Sequence, residues 1–168
     1  MDGEHVTPTD FRYHGAHKLM DYCERKEDYT LKNRGGQEMS ELGKEAFEAK
    51  SEYYQFERQM IISPRDDRTD QEMEEMTRDS VNQYFDGSTV DFCYSVHRDA
   101  EKGVHSHVVL TGETNDLYMN QSDIEEFNEQ SKERFRARDM DIEREIRREN
   151  QKELEKEQER TMQRGEFQ

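Results

Sequence analysis

Two stretches of strict period-two alternation, VDFCYSVH at 90–97 and VHSHVVL at 104–110, constrain this chain more than any other feature. Successive side chains of a strand point to opposite faces, so each run predicts a strand with one mainly apolar face and one mixed face. In the first, Val90, Phe92, Tyr94 and Val96 share a face, and Asp91, Cys93, Ser95 and His97 share the other. In the second, Val104, Ser106, Val108 and Leu110 lie on one side and His105, His107 and Val109 on the other. The connection HRDAEKG is short enough for an antiparallel hairpin. Pairing the two runs over one core then brings His97, His105 and His107 out on the opposite face, at the end nearest the turn.

The rest of the chain limits what can surround this hairpin. Only 30% of the 168 residues are apolar and 39% are charged, so one small core plus a solvated segment is expected. Eight Phe and eight Tyr supply that core. Thr9-Asp10 can cap a helix over roughly 10–26, the Asn33-Arg34-Gly35-Gly36 stretch reads as a turn, and 38–50 is weakly helical. FERQMIIS, 56–63, closed by Pro64, suits a strand followed by a break. Thr69 with Glu72 three residues on forms a capping box for a helix over about 70–85, which Asp86-Gly87 ends. From about 121 to 164 nearly every residue is charged or an amide, which predicts a long solvated helix or one strand of a weak coiled coil. The fold class expected is α+β: an antiparallel sheet carrying the histidine hairpin, helices packed on one face, and a long charged C-terminal helix. The domain boundaries expected are 1–125 for the folded unit and 126–168 for the helical tail.

Neutral imidazole is the commonest side-chain metal ligand, and His105 and His107 on alternate strand positions place two of them over one face. His97 from the adjacent strand completes a three-nitrogen cap that leaves coordination positions open. Asp99 stands two residues after His97, close enough to accept the outer N–H of a ligand imidazole and fix its tautomer. Such a site could hold zinc for hydrolysis, or Mg²⁺ or Mn²⁺ to polarise a phosphate. The nucleophile decides between them. HKLMDYCERK, 17–26, puts Tyr22 late in the N-terminal helix beside Arg25 and Lys26.

At this point the residues resemble a known family. SVHRDAEKGVHSHVVLTG resembles the third motif of conjugative relaxases, the HUH single-strand endonucleases, and HKLMDYCERK resembles their first. QFERQMIISPRD, 55–66, and NDLYMNQSDIEEF, 115–127, resemble the Ser-Pro landmark and the following segment of the branch related to the agrobacterial border-nicking enzyme. The resemblance implies that Tyr22 attacks a scissile phosphodiester and that His97, His105 and His107 hold a divalent ion, Mg²⁺ or Mn²⁺ with zinc as the other candidate. It implies that Asp99 orients an imidazole and that Ser63 approaches the DNA backbone; Arg25, Arg58 and Arg65, in local basic clusters, are the further candidates for DNA contact. The implied partner is single-stranded DNA at an origin of transfer or replication, stacked on aromatics such as Tyr13, Tyr53 or Tyr54. The C-terminal helix is available to an accessory protein or a second copy. A rolling-circle replication initiator shares this chemistry; a DNA-binding or assembly protein that keeps the metal site without catalysis is the reading from another class.

Two features sit awkwardly with that family. Ser106 stands between the paired histidines where an apolar residue is usual, which predicts looser packing on that face. The net charge of -16 repels polyphosphate at long range, although local arginine clusters or a salt-rich cytoplasm would offset it. Two well-separated cysteines and a start unlike a signal peptide predict reduced thiols and a cytoplasmic location, and no run is long and apolar enough for a membrane span.

Overall fold

The computed structural model describes residues 6–7, 11–13, 20–21, 23–24, 29–64, 66–101 and 103–165. Strands β1 (Val6–Thr7), β2 (Phe11–Tyr13), β3 (Lys32–Asn33), β4 (Phe56–Ile62), β5 (Asp91–Asp99) and β6 (Gly103–Thr111) form one antiparallel sheet. Its order is β1-β4-β6-β5-β3, with β2 also paired to β4. The helices are α1 (Glu41–Tyr54), α2 (Asp70–Tyr84), α3 (Thr114–Leu117) and α4 (Gln121–Gly165).

Local chemistry explains most boundaries. Ser40 Oγ accepts the Gly43 N–H to start α1, which ends at Gln55 in the left-handed region, φ 71°. The Thr69–Glu72 capping box starts α2 with both reciprocal bonds made, and Gly87 at φ 73° turns the chain after it. Asn33 Oδ1 accepts the N–H groups of Gly35 and Gln37, which closes the turn expected at 33–36.

Two expectations are corrected. A helix over 10–26 was expected, but Phe11–Tyr13 is a strand, with Phe11 opposite Arg58 and Tyr13 opposite Phe56, and helical backbone is found at 20, 21 and 23. Pairing with β4 supplies the ladder bonds that the Thr9-Asp10 cap was expected to nucleate; residues 9 and 10 themselves lie outside the described residues. The helices also pack on both faces of the sheet rather than on one. Phe47 of α1 clusters with Cys93, Val109, Met20, Cys23 and Leu31 on the face that carries the histidines. On the other face α2 meets the sheet through Thr77 against Ser106 and Arg78 against the Tyr94 hydroxyl. A central strand such as β6, buried from Val104 to Thr111, needs cover on both sides.

The chain divides into two compact units, Met1–Lys132 and Glu133–Gln168. Within the second, the described residues are helical to Gly165, and those from Asp141 on are almost all exposed. No helix among the described residues is long and apolar enough to cross a membrane.

Candidate metal centre

Strands β5 and β6 pair with His97 opposite His105 and Ser95 opposite His107, while Ile61 of β4 lies opposite His107 on the other side. Cross-strand neighbours share a face, so this register alone brings three imidazoles together at one end of the sheet. Ring centroids are 4.2 Å apart for His97 and His107, 5.0 Å for His105 and His107, and 5.6 Å for His97 and His105. The rings are 8%, 5% and 4% exposed for His97, His105 and His107 respectively. One nitrogen of each lies within 4.8 Å of one nitrogen of each of the others. Three nitrogens round one ion at bonds of roughly 2.0–2.1 Å stand about 3.4 Å apart, so capture asks each to move by at most about 1 Å.

The outer nitrogens are held by neighbours. His105 Nδ1 lies 3.1 Å from the Gly103 carbonyl and donates to it, which leaves the Nε2 lone pair facing inward. The Gln59 side-chain amide stands 3.4 Å from His107 Nδ1. As placed, Gln59 Nε2 is the near atom and donates to Nδ1; an amide turned to bring Oε1 to the ring would instead give His107 the tautomer of His105. His97 Nε2 is 2.8 Å from the Cys23 carbonyl and 2.9 Å from Ser95 Oγ. A carbonyl oxygen at that distance requires a proton on the nitrogen, so the neutral ring carries its lone pair on Nδ1.

Among the described residues the donors gathered here are three imidazole nitrogens. Cys23 and Cys93 share the face and are free and buried. Burial pushes the Cys23 thiol up to about 12, and burial raises Cys93 well above its ordinary value, so neither offers a thiolate near neutral pH. Among the described residues no carboxylate joins the three imidazoles, a donor set that suits a transition ion such as zinc better than Mg²⁺. The residues present therefore fit a bound divalent transition ion.

The other expected site residues are placed as follows. Asp99 Oδ1 accepts the Glu101 N–H at 3.0 Å and so caps the turn into β6, where Gly103 adopts φ 67°. Ser63 follows the last residue of β4 and is half-buried. Arg58 does not join the histidines. It shares the opposite face with Met60 and Ile62, is 4% exposed, and its Nη2 donates to the Met119 carbonyl at 3.4 Å. Burial lowers its pKa from the ordinary value, as expected of a guanidinium withdrawn from solvent. Tyr22, Arg25 and Arg65 lie outside the described residues. Tyr53 is 81% exposed and edge-on to Tyr54.

Three contributors were missed by sequence reading. Gln59 was available from the alternation of FERQMIIS, because it shares parity with Ile61 and Ser63. Arg98 binds Asp67 at 2.8 Å, Asp70 at 3.0 Å and the Arg68 carbonyl at 2.6 Å, tying the loop after Ser63-Pro64 to the strand beside His97. Tyr29 stacks on His97, and no local signal announces it. Ser106 departs from its expected effect: it is fully buried, with Oγ 2.6 Å from Thr77 Oγ1. Thr77 spends its own proton on the Met73 carbonyl at 2.7 Å, so Ser106 is the donor and the pair is satisfied.

The sheet and the cluster define an α+β protein with a candidate three-histidine metal centre at one end of its central strands. No protein-family model, curated protein or solved structure matches the chain.

Proposed function

We propose that this protein is a relaxase-like HUH endonuclease that nicks single-stranded DNA at an origin of transfer or replication and joins itself to the 5′ phosphate through Tyr22. The observation that carries the reading is the contact between the Cys23 carbonyl and His97 Nε2 at 2.8 Å. The residue that follows Tyr22 in the chain thereby touches the imidazole cluster, and the first and third sequence motifs meet. The C-terminal end of β4, with Ser63-Pro64 directly after it, lies beside the strand of the paired histidines, which adds the Ser-Pro landmark.

In the reaction the Tyr22 oxygen forms a bond to phosphorus while the bond from phosphorus to the 3′ oxygen breaks. The phenolic proton passes to solvent or a base, and the departing 3′ oxygen takes one up. One phosphodiester replaces another, so the bond energy is kept in the phosphotyrosine for rejoining. His97, His105 and His107 would hold the divalent ion, which supplies positive charge to the non-bridging oxygens as they gain charge. Gly103, Gln59 and Cys23 orient those rings. Ser63, half-buried directly after β4, would donate to a backbone phosphate. Arg58 is excluded from strand contact by its burial.

The test uses the full chain with Mn²⁺ and single-stranded oligonucleotides tiling its own replicon. Denaturing gels should show a protein–DNA adduct in wild type and none in Tyr22→Phe. An adduct that survives Tyr22→Phe refutes the nucleophile; no adduct with any oligonucleotide or metal refutes catalysis and favours a DNA-binding or assembly role.

A further inference from the structure

We infer that Tyr29 is a positioning residue for His97: its ring clamps the imidazole plane so that the nitrogen lone pair is aimed into the cluster. The inference rests on the reading that the three histidines hold a metal. The two rings are 3.8 Å apart at their centroids and only 6° from parallel, which is full face-to-face contact. Tyr29 is itself fixed at its far end, where its hydroxyl donates to the carbonyl of Arg98, the residue after His97, at 3.2 Å. Two residues further along the chain Leu31 is buried, and Lys32–Asn33 pairs with β5. The tyrosine is therefore anchored to the same strand as the histidine it covers.

His97 is held differently from its partners. His105 is fixed by the Gly103 carbonyl of its own strand and His107 by Gln59 of the neighbouring strand. His97 takes Ser95 Oγ from its own strand, but the Cys23 carbonyl and the Tyr29 ring reach it from 68 or more positions away in sequence. The Cys23 carbonyl selects which nitrogen carries the proton, and the stack restrains the plane in which that ring lies. Because the tyrosine hydroxyl is engaged as a donor to a backbone carbonyl, the ring face rather than the phenol performs the task. That separates Tyr29 from Tyr22, whose proposed role requires its oxygen.

The experiment titrates Co²⁺ into metal-stripped full-length protein, read by visible absorption and calorimetry with no DNA present. Tyr29→Leu should weaken Co²⁺ binding by about tenfold or more, the range found when groups that orient a ligand are removed. Tyr29→Phe, which keeps the ring, should stay within about twofold of wild type by the same reasoning. Proton NMR of the metal-free proteins provides a reading of the stack itself. A His97 ring proton shifted upfield in wild type and Tyr29→Phe should return toward its ordinary position in Tyr29→Leu, with the remaining spectrum still that of a folded protein. Wild-type affinity in Tyr29→Leu, or an equal loss in Tyr29→Phe, overturns the clamp. Failure of wild type to bind Co²⁺, with His105→Ala giving the same blank titration, overturns the metal reading and the clamp with it. A DNA adduct absent from a protein that does bind Co²⁺ bears on the nicking reaction alone.

Discussion

Ser106 offers the sharpest energetic test of the packing, through a double-mutant cycle with Thr77. Ser106 Oγ and Thr77 Oγ1 are 2.6 Å apart between β6 and α2, both groups are fully buried, and Thr77 donates onward to the Met73 carbonyl. Ser106→Ala removes one donor and leaves no orphan, because Thr77 keeps its own bond; the cost is a net hydrogen bond, about 1 kcal/mol. Thr77→Val is close to isosteric but strands the Ser106 O–H in a dry layer, which costs about 2 kcal/mol. In the double variant both polar groups are gone together, so it should be more stable than Thr77→Val alone and fall about 1 kcal/mol or more short of additivity. For a unit of this size each kcal/mol moves the melting temperature by about 3–5 °C. Urea denaturation followed by tyrosine fluorescence is the suitable assay, since the chain has eight Tyr and no Trp. Far-UV ellipticity would instead be dominated by the helix Gln121–Gly165. Additivity within about 0.5 kcal/mol would refute the coupled hydroxyl pair. The hydroxyl lies on the face away from the imidazoles, so Co²⁺ affinity should be the same in all four proteins.

Three further outcomes follow from the site and its surroundings. Mn²⁺ at about a hundred times its dissociation constant should stabilise the protein by about 2.7 kcal/mol in a thermal melt; an undiminished shift in His105→Ala would place the ion elsewhere. Cys23 and Cys93 should resist thiol reagents at pH 8 until the protein unfolds, since burial keeps both protonated. The Cys23 value is raised from 9.0 to about 12, so its stabilising share is complete below the unfolded value and declines between those limits. The decline is at most about 1.4 kcal/mol per pH unit, because the unfolded chain loses the proton first; stability that stays flat over that alkaline range would count against the buried thiol. Gly103 adopts φ 67°, and among the described residues nothing lies within 4 Å of where a Cβ would stand, so Gly103→Ala should cost only the conformational strain. That strain is about 1 kcal/mol, with Gly103→Asn cheaper; a loss above about 3 kcal/mol in urea melts would point to a steric contact instead.

The parts of this fold that were legible in sequence carry their own signal. β5 and β6 alternate over seven or more residues, and the Thr69–Glu72 pair announces the start of α2, because both patterns are local. β1, β2 and β3 are two or three residues long and exist through pairing with β4 and β5, so no periodicity of their own could reveal them. Helices on both faces were missed for a related reason: the mixed face of β5 and β6 reads as polar, yet Cys93 and Val109 on it form the floor of a second apolar cluster. Arg58 was misplaced although the sequence held the answer, since it alternates in step with Met60 and Ile62. Tyr29 could not be found this way. It meets His97 across 68 positions of chain, a distance over which no sequence pattern signals a contact.

The charge of the chain is better understood once it is divided between the two units. Residues 133–168 hold ten basic and eleven acidic side chains, so nearly all of the net charge of -16 belongs to residues 1–132. An acidic surround repels a long polyanion and raises the local concentration of divalent cations, two effects with opposite consequences for the proposed reaction. Neutral imidazoles contribute no compensating charge, so an ion held by His97, His105 and His107 keeps its full positive charge at the end of the sheet. A phosphodiester then meets repulsion at a distance and attraction at contact. Screening removes the first far more than the second, because the Debye length falls from about 10 Å at 0.1 M salt to about 3 Å at 1 M while a bound ion acts over a single contact. Duplex DNA, whose binding depends on many phosphate contacts, gains little from such a surface. One exposed strand presenting one phosphate to one ion gains most, so the acidity disfavours general DNA binding and remains compatible with a single-strand nicking site.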